Sequence, residues 1–302
     1  MQTRFILTLT LFALLSLIPS LILACTDLRA TSVTNLNLTE SMAPGSITIT
    51  VQKTGAPCDF FVTLTAGGSG SFDRKLFNGA EFIPYNIYRD NSFSAVIKDI
   101  PEAGPGEVLT GSFQKTGDES KTFTVLVKAL TSSLKPAGVY FDNVSLKIYR
   151  SAYSTTAPVA KTVNGIRTSY SQPVVQSLSL VDAGGAFQQG DTKQFVSFNP
   201  LREGARQSFD LLIRSNSNYT LKVESQNAGK LKHANLERFV SYSLEIAGSS
   251  LPLNGPTVVN RMSSRYDTTT GDRYPMSVKI GATRGALAGK YNDYITFTVE
   301  AN

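Results

Sequence analysis

The sequence predicts an all-β protein of two tandem β-sandwiches, the second short of a closing strand. Three observations carry this. The body is rich in Thr, Ser, Val, Phe and Tyr and is punctuated by Gly and Pro, as strands and tight turns require. No segment sustains a helical period. One phrase also occurs twice: Ala137-Gly138-Val139-Tyr140-Phe141-Asp142 ahead of a strand, and Ala288-Gly289-Lys290-Tyr291-Asn292-Asp293 ahead of the strand that runs out at Asn302. More chain follows the first copy and can complete its sheet. Nothing follows the second, so the expectation is an open strand edge that a foreign β-segment fills.

The elements follow in order. Met1 to Arg4 form a charged start, and Phe5 to Ala24 are apolar, broken by Pro19, with small Ala24 at the end. This reads as a secretory signal peptide over 1–24. No later stretch approaches the ~18 apolar residues of a membrane helix. Ser46–Val51 alternates, with Ile47, Ile49 and Val51 on one face. Strands are expected at Phe60–Thr65, Ile83–Tyr88, Phe93–Ile100, Lys121–Lys128 and Val139–Tyr149. Ala66–Ser71, Leu76–Phe82, Pro101–Gly106 and Leu130–Pro136 are expected as loops.

The first domain is placed at 25–150, with an extension to 172 left open, because 151–172 reads either as a linker or as a completing strand. A second series occupies 173–302, with strands at Gln207–Ile213, Asn218–Val223, Gly229–His233, Val240–Ile246, Met276–Ile280 and the terminal run. Its order matches the first: Phe61-Val62-Thr63-Leu64 with Tyr219-Thr220-Leu221-Lys222, Ile83–Ile87 with Val240–Leu244, and the repeated phrase best of all. Two copies of one fold are the simplest account.

The whole chain of 302 residues carries a net charge of +6. The basic residues are scattered, without an aromatic-plus-basic motif, so no nucleic-acid partner is expected. The two cysteines, Cys25 and Cys58, suggest one disulfide in an exported protein. Acylation of Cys25 is the alternative. The single His233 sits in a Lys-Leu-Lys-His run and reads as a solvated surface residue. It has no second His or Cys at metal-ligand spacing. Neither a Gly-x-Ser-x-Gly elbow nor a phosphate-binding loop occurs. No catalytic residue, metal or cofactor is therefore expected, and an exported hydrolase is the weakest reading.

Cys25 at the mature start, Cys58 after the Ile47–Val51 strand, Arg74-Lys75-Leu76 and Pro84-Tyr85-Asn86-Ile87-Tyr88-Arg89-Asp90 resemble the spore coat protein U family. That family includes subunits of Csu-type pili, built by the archaic chaperone–usher pathway of Gram-negative bacteria. The resemblance covers most of Cys25 to Arg150, and a fainter version without cysteines covers about Val174 to Asn302. It implies an immunoglobulin-like pilin fold lacking its last strand. A periplasmic chaperone fills the slot, an outer-membrane usher assembles the fibre, and a strand from the adjacent subunit replaces the chaperone. The slot is placed along Ile295, Phe297 and Val299, with Phe209, Leu211 and Ile213 as its other wall. Burying three or four such side chains would supply roughly 5–10 kcal/mol before ordering costs.

Shaft subunits of this kind carry a donor segment ahead of the first cysteine, and here Cys25 itself begins the mature chain. The two-domain layout thus resembles the family's tip adhesins, which mediate surface attachment and biofilm formation. A structural pilin, or a free or lipid-anchored surface protein, is the alternative. Phe77, Phe82 and Leu134 are the expected adhesive loop residues, facing an abiotic or host surface.

Overall fold

The computed structural model describes residues 25–38, 43–130, 135–261 and 270–302. The expected signal peptide and Leu134 lie outside them. Contacts divide the chain into two compact units. The first ends at Tyr170; the second runs from Ser171 to Asn302 and also takes in short segments at 78–81 and 131–140. Among the described residues, apart from two single-turn 3-10 helices, the regular elements are strands.

In the first unit these are β1 (Thr26–Val33), β2 (Leu36–Leu38), β3 (Gly45–Thr54), β4 (Cys58–Leu64), β5 (Lys75–Asn78), β6 (Glu81–Tyr88), β7 (Leu109–Phe113), β8 (Glu119–Ala129), β9 (Gly138–Tyr149) and β10 (Val159–Gln172). They form one continuous hydrogen-bonded path in the order β1-β3-β8-β6-β5-β9-β10-β2, with β4 between β9 and β7. The period of two explains the burial. Ile47, Ile49 and Val51 of β3 are fully buried and meet Val125 and Val127 of β8, while the intervening threonines stay at the surface. Phe60, Phe61, Val62 and Leu64 of β4 and Leu146 and Ile148 of β9 complete the core.

Cys25 and Cys58 are joined, their Cα atoms 5.7 Å apart and 33 residues apart in sequence. The bond ties the start of β1 to the head of β4 and leaves no thiol at Cys25 for a lipid. By the chain-entropy model a loop of this length contributes about 3–4 kcal/mol.

The second unit comprises β11 (Gln176–Asp182), β12 (Arg206–Ser215), β13 (Tyr219–Ser225), β14 (Lys230–His233), β15 (Phe239–Ile246), β16 (Ser249–Leu251), β17 (Thr257–Arg261), β18 (Asp272–Ile280), β19 (Tyr291–Asn292) and β20 (Ile295–Ala301). One sheet runs β11-β12-β18-β15-β14-β19, with β16 on β15; the other runs β17-β13-β20. Leu211, Ile213, Leu221, Val223, Leu244, Met276 and Ile280 fill the space between them.

Strand by strand, the units correspond. The path β1-β3-β8-β6-β5 matches β11-β12-β18-β15-β14, and β7-β4-β9 matches β17-β13-β20. The correspondence then stops. In the first unit β10 lies on the far side of β9. In the second, β20 pairs with β13, and among the described residues no strand pairs with its far side.

Three expectations change, and one left open is resolved. Phe93–Ile100 is not a strand, and its one ladder contact is the bridge between Tyr88 and Val96. Its polar groups serve side chains and loops instead: Ile97 O accepts from Arg74, and Lys98 N donates to Glu107 O. Leu76–Phe82 is not a loop but β5, a turn at Gly79-Ala80, and β6. Leu76 is fully buried, and Gly79 takes the positive φ of 58° that a tight hairpin needs. Residues 151–172 form β10 over most of their length. Finally, His233 is buried rather than solvated. Its Nδ1 accepts from Asn235 N at 3.1 Å, and its Nε2 lies 3.2 Å from Ala288 O. A Cβ on Gly289 would stand 2.1 Å from that Nε2, so this glycine of the repeated phrase cannot be enlarged.

Candidate functional site

Both units are pinned by the same polar lock. In the first, Tyr85 OH donates to Asp142 Oδ2 at 2.8 Å, and Asp142 Oδ1 accepts from Gly68 N and Asn143 N, both at 2.8 Å. In the second, Tyr242 OH donates to Asp293 Oδ2 at 2.6 Å, and Asp293 Oδ1 accepts from Asn227 N at 3.0 Å and Tyr294 N at 2.8 Å. Asp142 and Asp293 are the last residues of the repeated phrase. The carboxylate thus holds the entry to β9 or β20 against the β6 or β15 tyrosine and the loop after β4 or β13. Burial, then the adjacent carboxylate, pushes both phenols well above the ordinary tyrosine value. They remain hydrogen-bond donors at any physiological pH.

The Arg74 and Tyr85-Asn86 signature residues are structural. Arg74 is fully buried. It donates to Leu64 O, Thr65 O, Ile97 O and Asn86 Oδ1. Burial lowers its pKa to about 10, and Tyr85 and Asp142 act against that shift, so the guanidinium stays charged at neutral pH.

A third carboxylate, Asp99, accepts from Thr63 Oγ1 at 2.7 Å, Lys147 Nζ at 2.6 Å and Tyr149 OH at 2.9 Å. Burial pushes the Asp99 carboxyl up, but the bonds from Lys147, Thr63 and Tyr149 outweigh it and hold the group below the usual range. An acid depressed in the fold stabilises it above the unfolded value near 3.9 and loses that contribution as pH falls through the folded value. Asp99→Asn should therefore lower the urea midpoint at neutral pH, and its gap to the parent should shrink below about pH 4. Urea titrations down to about pH 2 check this; a gap constant with pH would remove Asp99 from the acid limb.

The open edge is built as follows. β20 pairs with β13 along its whole length, from Ser225 opposite Ile295 to Tyr219 opposite Ala301. Ile295, Phe297 and Val299 point inward yet stay half-buried, packed against the core. The β13 residues opposite Phe297 and Val299, Val223 and Leu221, are fully buried. Among the described residues no strand covers these side chains on the far side of β20.

Phe209, Leu211 and Ile213 are all buried on β12. They are the floor of the opening rather than its wall, because β12 is flanked by β11 and β18. The Phe209 and Phe297 rings meet edge to face at 6.4 Å. β11, the edge strand of the facing sheet, stands where β12 was expected.

The expected adhesive residues are not brought together on loops. Phe77 lies within β5, opposite Phe141 of β9. Phe82 lies on β6 and is half-buried, with Lys75 Nζ 4.4 Å from its ring centroid. What sequence reasoning missed is the Tyr–Asp lock, although its aspartates closed the repeated phrase in plain sight.

The molecule is thus a tandem β-sandwich protein, its first unit stapled by a disulfide and its second with, among the described residues, no strand on the far side of β20. Residues 24–147 match the Spore Coat Protein U domain. No curated protein matches the chain. Solved structures resemble it distantly. A chain of the chaperone–tip adhesion subunit pre-assembly complex from archaic chaperone–usher Csu pili of Acinetobacter baumannii is 15% identical. That match covers 92% of this chain and 100% of the other, with a TM-score of 0.38. The CupB6 tip adhesin of Pseudomonas aeruginosa is 15% identical, with 91% and 95% covered and a TM-score of 0.37. The adhesive subunit of the CFA/I fimbria of enterotoxigenic Escherichia coli is 14% identical, with 91% and 83% covered and a TM-score of 0.30.

Proposed function

We propose that this protein is a pilus adhesin exported to the cell surface. Its first unit meets the target surface and supports biofilm formation. Its second unit joins the fibre by accepting a β-strand from the adjacent subunit, after a periplasmic chaperone has held the same place and an outer-membrane usher has effected the exchange. The observation that carries this reading is one difference between the units. β9 has β10 beside it, and β20, its counterpart, has no strand there among the described residues. Half-buried Ile295, Phe297 and Val299 line the vacancy, and an incoming strand with apolar side chains at alternate positions fits it.

The match of residues 24–147 to the Spore Coat Protein U domain supports the assignment. The tip position rests on the two-unit layout and on the first unit's supplying its own β10. Co-expression with the cognate chaperone is the test. The full chain should leave the periplasm as a one-to-one complex, and a chain truncated after Gln172 should be soluble and monomeric without the chaperone. A full chain that stays monodisperse alone and binds no chaperone would overturn the reading.

A further inference from the structure

The outer face of the first unit carries a feature that neither the sealed core nor the open edge accounts for. Phe141 points outward from β9 and is 40% exposed, between inward-facing Tyr140 and Asp142. Directly opposite in the β5–β9 pair is Phe77, and opposed residues share a face. From β10, the Arg167 guanidinium lies over the Phe141 ring, its Cζ 4.2 Å from the centroid. Arg167 N donates to Asn35 Oδ1 at 2.9 Å, which fixes its backbone. Among the described residues no carboxylate pairs with its guanidinium. Exposed Asn143 and Asn164 lie further along β9 and β10, and Ser145 Oγ donates to Asn164 Oδ1 at 2.9 Å.

We propose that Phe77, Phe141 and Arg167 form a binding platform for an acidic sugar, a pyranose bearing a carboxylate. The chemistry selects this class. With Arg167 over one face of the Phe141 ring, the rest of that ring and half-buried Phe77 offer apolar surface to the C–H groups of a pyranose. The stacked guanidinium keeps its N–H edge free and is pre-organised for bidentate contact with a carboxylate. The neighbouring amides and hydroxyl offer donors and acceptors to ring hydroxyls. The face is a flat sheet surface rather than a cleft, which suits a unit within a repeating polymer, where many weak contacts sum. This inference rests on the adhesin reading and names the surface that reading leaves open.

Polygalacturonate, its methyl-esterified form and the full mature chain test the proposal by biolayer interferometry. The acid polymer should bind and the ester should not. Phe141→Ala and Arg167→Gln should each weaken binding about tenfold or more, as loss of one such contact does. Phe77→Ala should weaken it less, and Lys161→Gln, an exposed cation elsewhere on β10, should change nothing. Equal binding of both polymers, or equal loss from Lys161→Gln, would mean unspecific attraction and overturn the platform. Fibres that attach cells to surfaces while the unaltered chain binds neither polymer would sink the platform and leave the adhesin reading standing.

Discussion

Fusing an alternating hydrophobic strand after Asn302 through a flexible linker should raise the melting temperature of the second unit by about 10 °C or more. The size follows from what the strand covers. Ile295, Phe297 and Val299 are half-buried over Phe209, Leu211 and Ile213, and a partner presenting three or four apolar side chains would complete that burial. At about 1.5–3 kcal/mol per large side chain, less the cost of ordering the strand, the net gain is on the order of 3–6 kcal/mol. For a unit of this size each kcal/mol moves the midpoint by about 2–4 °C. The discriminating control is the same strand shifted by one residue. Its composition is unchanged, but its apolar side chains would face solvent, and the gain should vanish. Phe297→Ser should remove most of the gain without such a shift. Equal stabilisation by both frames, or none by either, would sink the idea of a strand-accepting groove. A hydrogen-exchange comparison would locate the effect, with protection rising on β20 and its neighbours but not on β3 or β8.

Arg74→Ala should cost the first unit about 3–5 kcal/mol, enough to lower its melting temperature by about 10 °C or more. The guanidinium is fully buried and serves three main-chain carbonyls and the Asn86 amide. Removing it leaves those acceptors without donors in a place water does not reach, and leaves the nearby Asp142 carboxylate without its compensating charge. Arg74→Lys would not rescue it, because one ammonium cannot reach acceptors spread around a planar fork. Tyr85→Phe should cost less, about 1–3 kcal/mol, since it deprives Asp142 of a single donor. Thermal melts of the first unit alone, ending at Gln172, decide the ranking. An Arg74→Ala loss no larger than that of Tyr85→Phe would show that the carbonyls find other partners.

The fold class, the tandem repeat and the disulfide were legible because each rests on a strong local signal. Ile47-Thr48-Ile49-Thr50-Val51 alternates cleanly, the Ala-Gly-x-Tyr phrase recurs, and two cysteines admit one pairing. Strands β1, β5 and β7 were not legible. Thr26–Val33 is mostly polar and half-exposed, lying at a sheet edge where alternation is weak. Lys75–Asn78 is too short to show a period, and Leu109–Phe113 buries only its two ends. Phe93–Ile100 misled in the opposite sense. Its apolar residues pack inward, but the Ile97 carbonyl is drawn off by Arg74, a partner distant in sequence. The candidate edge was found from the repeated phrase. Its floor and wall were confused because both strands of the facing sheet carry inward apolar residues, and only the pairing order separates β11 from β12. His233 was misjudged for the same reason. Flanking lysines describe the outward side of β14 and say nothing of the inward one.

The lone covalent staple sets a timetable. Cys25 and Cys58 join only where thiols are oxidised, and the second unit has no cysteine. While the chain sits among reducing thiols, the first half is less tightly held and easier to thread through a translocation pore. Its hardening is deferred to the oxidising side of the membrane, so rigidity arrives only after passage is complete.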